Sequence, residues 1–366
     1  MSKNNSQTSA PPKKKNTIWQ LLEELADKKG VTEITINSPN SIFAEKDGRF
    51  FLLDVRVQSN ELFEFCHEVA TYNNKLCDEQ NPVLDGTLPD GSRINIIHPP
   101  YVKITPVITI RKYLNELVSF DKTPGIFATT PEWIEFFRAT VRARLNIIIS
   151  GGTGVGKTTL MNLLLQEIPK DERVITIEDT RELNFKLPNL VRMEVATRGT
   201  TTASGPTVVI PLTLRDLVRN TLRMRPDRII VGEVRGGEIF DLLQAINTGH
   251  DGSMTSIHAN SAGECLKRIA TLYLLAGYDV PIKAIRGQVA TALNFIIQIG
   301  RSREGQRIIS EVSEITGMEG DNVLMQKIGT YSPEKKCLVS TDIVPTCSKR
   351  LIERGGLSKD LFVSGF

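Results

Sequence analysis

The chain has 366 residues, which at about 150 residues per domain predicts two or three domains and enough chain to bury a sizeable core. Hydrophobic residues make up 40% and charged residues 24%, an ordinary globular balance that argues against a collagen-like, coiled-coil or wholly disordered chain. The 45 Lys and Arg against 42 Asp and Glu leave a net charge of +3, too even for a protein that lives by coating nucleic acid or anionic membrane.

The first segment, 1–15, is polar, carries Lys13, Lys14 and Lys15, and is followed by no apolar run. It predicts a disordered tail rather than a secretory signal. Ile18, Leu21, Leu22 and Leu25 are spaced as one stripe of a helix over Ile18 to Ala26, and Val31 to Asn37 then alternates like a half-buried strand. Asp47-Gly48 separates two strand-like runs, Ile42 to Glu45 and Arg49 to Leu53, and marks a hairpin turn. A helix over Leu62 to Tyr72 and strands over Arg93 to Ile97 and Val107 to Ile110 complete a small N-terminal α+β domain, 16–112. Residues 113–124 mix polar side chains with a proline and read as a linker.

From Pro131 onward the pattern alternates strand, loop and helix. Strands are predicted at Asn146 to Ser150, Val174 to Ile177, Ile229 to Gly232, Met254 to Ile257 and Phe295 to Ile299. Such nearly continuous apolar strands suit a parallel sheet covered on both faces, so 125–366 is predicted to be a doubly wound α/β domain. These runs are strand-sized, and none approaches the ~18 to 20 residues that cross a bilayer. Arg198 to Pro211, rich in Gly, Ser, Thr and Pro, reads as a surface loop, and the last fifty residues give no clear pattern. The five cysteines are scattered without C-x-x-C, as for reduced thiols, and the four histidines offer no zinc spacing with them.

Gly151-Gly152-Thr153-Gly154-Val155-Gly156-Lys157-Thr158 matches G-x-x-x-x-G-K-[ST] between a predicted strand and a predicted helix. Its glycines let backbone N–H groups face phosphate oxygens at a helix N-terminus. Lys157 is expected at the β and γ phosphates and the Thr158 hydroxyl on Mg2+. Glu178 and Asp179 end a strand at the carboxyl edge where open α/β sheets place ligands. One carboxylate is suited to polarising water and another to holding the metal's water shell. Glu233 ends a third strand in the place of a Walker B acid, suited to contact Mg2+ through a water. His250 and His258 are expected near the same sheet edge as the nucleotide loop, as neutral sensors of the γ phosphate. Arg215, Arg219 and Arg223 recur every fourth residue; the stripe reads as a solvated face, or as a subunit interface or an arginine offered to a neighbour's phosphate.

Together the blocks ISGGTGVGKTT, ITIEDTREL, LRMRPDRIIVGEVRG and LLQAINTGHDGSMTSIHAN resemble the secretion ATPases of bacterial type II and type IV systems. Val31-Thr32-Glu33-Ile34, Glu45 to Arg49, Leu88 to Arg93, Thr109 to Lys112 and Ser313 to Gly320 extend the resemblance to the tight-adherence (Tad) pilus ATPases called CpaF or TadA, over about residues 18 to 330. It departs at Thr200 to Ile210, which lacks the charge of that family loop. The resemblance implies a RecA-like P-loop ATPase domain with a smaller N-terminal α+β (PAS-like) domain, hexameric rings, and ATP with Mg2+ between the domains. By position it makes Glu178 the catalytic glutamate, Glu233 the Walker B glutamate, and His250 and His258 members of the "His box". Arg93 and Arg111 are then arginines brought to the nucleotide, Arg235 follows the Walker B acid, and Thr159 extends the loop that binds it. The implied role is a cytoplasmic motor, peripheral at the inner membrane, that pushes on pilus platform proteins. The alternative is a VirB11-type motor for effector or DNA export. The guanine-reading N-K-x-D is absent, its nearest string being Asn74-Lys75-Leu76-Cys77. No basic or aromatic strand-binding channel is evident, so no nucleic-acid partner is expected.

Overall fold

A computed structural model describes residues 16–26, 28, 30–46, 49–73, 75–112, 119–195, 201–202, 205–206 and 212–362. The tail 1–15, the turn Asp47-Gly48, the first half of the expected linker and most of the Arg198 to Pro211 loop lie outside them. The chain divides into two compact units, 1–115 with 196–211, and 116–195 with 212–366.

The first unit begins with helix α1 (Thr17–Ala26), strands β1 (Val31–Ser38), β2 (Ser41–Lys46) and β3 (Arg49–Leu52), and helix α2 (Ser59–Tyr72). Strands β4 (Val83–Thr87), β5 (Arg93–Ile97) and β6 (Val107–Arg111) follow. The six strands form one antiparallel sheet in the order β3-β2-β1-β6-β5-β4. Alternate residues Ile34, Ile36, Ile108, Ile110, Ile94 and Ile96 are buried in one cluster with Ile18, Leu21 and Leu25 of α1 and Leu62, Phe65 and Val69 of α2. The period-2 pattern of the strands and the helical stripes therefore meet on one sheet face. A capping box fixes the start of α2, where the Gln58 N–H donates to Glu61 Oε2 at 2.8 Å. The same Glu61 carboxylate accepts from the Thr17 hydroxyl at 2.6 Å and ties α1 to α2.

The second unit contains α3 (Pro131–Arg142), β7 (Ile147–Gly151), α4 (Lys157–Leu165), β8 (Val174–Glu178) and β9 (Leu190–Glu194). After the short ladder of β10 (Thr201–Thr202) with β11 (Gly205–Pro206) come α5 (Leu214–Thr221), β12 (Arg228–Val231), α6 (Glu238–Asn247), β13 (Met254–Ile257), α7 (Ala262–Leu274) and α8 (Ile282–Ala292). The chain ends with β14 (Phe295–Arg301), β15 (Arg307–Glu319), β16 (Asn322–Ser332), β17 (Cys337–Ser340) and α9 (Ser348–Glu353). Nine strands form one sheet in the order β17-β16-β15-β14-β7-β13-β12-β8-β9. The pairs from β14 through β9 are parallel and those from β14 to β17 antiparallel. Ile147 and Ile149 point into a cluster with Trp133, Phe136 and Leu164, and Ile148 into another with Leu243, Ile269 and Val289. This two-sided burial is the reason the strands read as continuous apolar runs.

The last fifty residues, without pattern in the sequence, extend the sheet. Gly329 of β16 lies so close to α3 that an added Cβ would come within 2.4 Å of the Trp133 ring. Buried Glu314 of β15 accepts the N–H groups of Thr346 and Cys347 at 2.9 and 3.0 Å and the Thr346 hydroxyl at 2.7 Å, pinning the segment before α9. All five cysteines are free thiols.

Candidate nucleotide site

The turn from β7 to α4 carries Gly151 to Thr158. Gly154 and Gly156 have φ of 70° and 105°, the left-handed region that only glycine occupies without strain. Lys157 opens α4, and its buried ammonium donates to the Gly151 and Gly152 carbonyls at 3.1 and 3.0 Å. Its Nζ also lies 3.2 and 3.3 Å from the two ring nitrogens of His258, which follows β13. Thr153 and Gly154 are exposed at the tip, and Thr158 and Thr159 are half-buried on the first turn of α4.

Strand order explains the neighbours of this loop. In the sheet β13 intervenes between β7 and β12, so the residue after β13 stands between the lysine and the acid that follows β12. His258 Nε2 is 2.8 Å from Glu233 Oε1, a buried oxygen. The other Glu233 oxygen accepts from Arg235 Nε and Nη2 at 3.0 and 2.5 Å. Burial, with the charges of Lys157, Arg235 and Arg268, holds the His258 pKa below its usual value against the pull of Glu233.

Glu178 ends β8, and its Oε1 accepts the N–H groups of Glu182 and Leu183 at 2.8 and 2.9 Å. Burial pushes its pKa up to about 7, the two backbone hydrogen bonds opposing and the Glu182 and Glu194 carboxylates reinforcing the rise. Gly232 makes room for it, since a Cβ there would meet Glu178 Cγ at 3.1 Å. Glu182 accepts the Thr158 hydroxyl at 2.9 Å, which joins the helix threonine to the acidic loop. Asp179 is more exposed, and its Oδ2 lies 4.0 Å from Arg235.

His250 is a correction. It precedes β13, whereas His258 follows it, and in a parallel sheet these are opposite edges. Its Nδ1 contacts the Ala245 carbonyl at 2.9 Å, and the adjoining Asp251, Gly252 and Ser253 bond to Asn146 at the start of β7. Within one chain, His250 thus stands at the sheet edge away from Lys157. In the arginine stripe, Arg215 and Arg219 both donate to Asp241 of α6, at 2.7 and 2.9 Å, and Arg223 lies beyond α5. Arg93 and Arg111 face each other across β5 and β6 in the first unit, with Glu33 opposite Arg111 on β1.

A family profile described as "Type II/IV secretion system protein" matches residues 16–332. Similar proteins include VirB11 of Bartonella henselae, 34% identical over 76% of this chain and 87% of that protein. PtlH of Bordetella pertussis is 33% identical over 82% of this chain and 94% of its own length, and the conjugal transfer protein TrbB of Rhizobium radiobacter 32% identical over 80% and 86%. The chain belongs to the type II/IV secretion ATPase family. Among solved structures of low identity, this secretion ATPase shares its fold with the Legionella pneumophila ATPase DotB, at a TM-score of 0.58, 18% identity and coverage of 98% and 91%. The pilus retraction motor PilT with bound ADP gives 0.57 at 19% identity, covering 95% of this chain and 88% of that one. The second unit of this family member is accordingly the RecA-like domain and the first the smaller N-terminal domain. Among the described residues no helix is long and apolar enough to cross a membrane.

The residues fit a nucleotide and Mg2+. Left-handed glycines and a helix N-terminus suit phosphate, and the Glu233 carboxylate beside Lys157 and His258 suits a metal-bound water. Among the described residues no three His, Cys, Asp or Glu side chains form a ready-made metal cage. Mg2+ is commonly held by one or two protein oxygens together with phosphates and water. Glu182 was not singled out from the sequence, although it lies inside the block ITIEDTREL. It sits in a loop where no periodicity operates, and only the fold brings it to Thr158.

Proposed function

We propose that this secretion ATPase hydrolyses ATP with Mg2+ and couples hydrolysis to mechanical work on an inner-membrane export or pilus machine. The observation that carries the reading is the contact chain Lys157, His258, Glu233 beside Thr158, Glu182 and Glu178. Lys157 neutralises charge on the transferring phosphoryl group, and Mg2+ held at Thr158 would supply further charge compensation. Glu178, with a pKa poised near neutrality, takes the proton of the attacking water. Neutral His258 links the lysine to Glu233 and registers loss of the γ phosphate, and Arg235 holds Glu233. Arg93 and Arg111 act on the phosphates from the N-terminal domain, and the working unit is a homohexamer on platform proteins, cytoplasmic and peripheral at the inner membrane.

Two machines are compatible with this enzyme. The blocks outside the catalytic core favour Tad pilus assembly. The names of the relatives, a type IV secretion VirB11 and a conjugal transfer TrbB, favour export. Turnover of Mg-ATP by the purified chain, abolished in Lys157→Ala, tests the chemistry; undiminished turnover in that variant overturns it. Gene deletion separates the machines: loss of surface pili supports the first, and loss of DNA or effector transfer with pili intact supports the second.

A further inference from the structure

The segment just before α3 holds an unusual backbone. Gly125, Phe127 and Ala128 have φ of 73°, 58° and 58°, and left-handed geometry at the two non-glycine positions costs on the order of 1–3 kcal/mol each. The turn is closed by Ala128 N–H to the Gly125 carbonyl at 3.0 Å and by the Thr129 hydroxyl to the Ile126 carbonyl at 2.8 Å. Strain of this kind persists where surrounding structure over-determines it. Here it aims the buried Phe127 ring at Gly156, the residue immediately before Lys157. A Cβ on Gly156 would lie 3.0 Å from Phe127 Cζ and 3.4 Å from Arg307 Cδ. From the β14–β15 hairpin, Arg301 donates to the Gly154 carbonyl at 3.2 Å and to the Gly305 carbonyl at 2.9 Å.

We propose that Phe127 is a positioning residue for nucleotide binding, the wall that keeps Gly156 in the one conformation the phosphate loop needs. The proposal rests on the reading of Gly151 to Thr158 as that loop. Glycine at φ 105° has many alternatives open to it, and each alternative turns the N–H of Lys157 or Thr158 away from a bound phosphate. An aromatic edge packed on one side, with Arg301 holding Gly154 from the hairpin, removes those alternatives before the nucleotide arrives. Preorganisation of this kind raises affinity and leaves the chemical step alone. Leu at 127 is too short to reach Gly156, whereas Met spans a similar length.

The test measures Mg-ADP dissociation constants by calorimetry, steady-state ATPase constants and melting temperature on the full chain. Phe127→Ala is expected to raise both Kd and KM at least about tenfold with kcat at saturating ATP changed less than about threefold. Phe127→Leu should weaken binding several-fold and Phe127→Met restore it to within about twofold. Equal affinities in the Leu and Met variants and the wild type, with only the melting temperature lowered, overturn the proposal, and this comparison decides should Phe127→Ala fail to fold. A wild-type chain that binds no Mg-ADP, or a Lys157→Ala chain that binds it as tightly, instead overturns the reading of the loop.

Discussion

Glu178 shows how one side chain links pH to stability and to rate. Its carboxyl titrates near 4.5 in an unfolded chain and near 7 in the fold because burial disfavours its charge. Between those values the folded state holds a proton that the unfolded state has released, so stability falls as pH rises across the window and is level above it. The full difference is about 3 kcal/mol at ~1.4 kcal/mol per pKa unit. Urea unfolding of the nucleotide-free chain at pH 5 and pH 8 should therefore show a loss of that order in wild type relative to Glu178→Gln; parallel profiles would place the carboxyl at its ordinary pKa. In the same region kcat/KM for ATP should rise with pH, the ionised form being the base, while Glu178→Gln keeps Mg-ATP binding and loses most turnover.

At the scale of elements, the sheet edge away from the nucleotide loop is held by ions. Arg228 at the start of β12 is fully buried, and its Nε and Nη2 donate to Glu172 at 2.5 and 2.9 Å. Arg144 bridges Glu172 and Asp227, at 3.3 and 3.1 Å. Burial would raise the Glu172 pKa, but the two guanidinium groups outweigh it and hold the carboxyl below its usual value. Removing one partner strands the other in the interior. Glu172→Leu or Arg228→Met alone should each cost about 3–5 kcal/mol, and the double variant carrying both should recover much of it. Denaturant melts of the four proteins in that cycle check this, and additive losses would show the pair to be uncoupled. Arg215 and Arg219 share Asp241 and so join α5 to α6.

At the scale of the whole molecule, two units have separate cores. Arg93 and Arg111 stand directly opposite on antiparallel strands, with Glu33 opposite Arg111 on the neighbouring strand. Arg93→Ala and Arg111→Ala should each lower ATPase activity at least tenfold, equivalent to ~1.4 kcal/mol of transition-state stabilisation. Circular dichroism and sedimentation would confirm fold and assembly state, and near-normal turnover in both variants would confine the two arginines to the sheet.

Periodicity and local chemistry were enough to place most elements. The alternation in β1 and β6, the apolar runs of β7, β8, β12, β13 and β14, and the glycine loop before Lys157 are each set by near neighbours in the chain, so they are legible without a fold. The long hairpin strands β15 and β16 were not, because they cover a sheet edge and α3 with mixed burial rather than with a clean period. His258 and His250, eight positions apart by number, read as one group; a parallel strand between them sends one to Lys157 and the other to the Ala245 carbonyl at the opposite edge. Glu182 and Phe127 reach the site from a loop and a strained turn, where sequence carries no spacing signal. Local hydrogen bonding and side-chain periodicity are written in consecutive residues, whereas strand order and the meeting of loops depend on which distant segments share a core, and that was decided only by the tertiary structure.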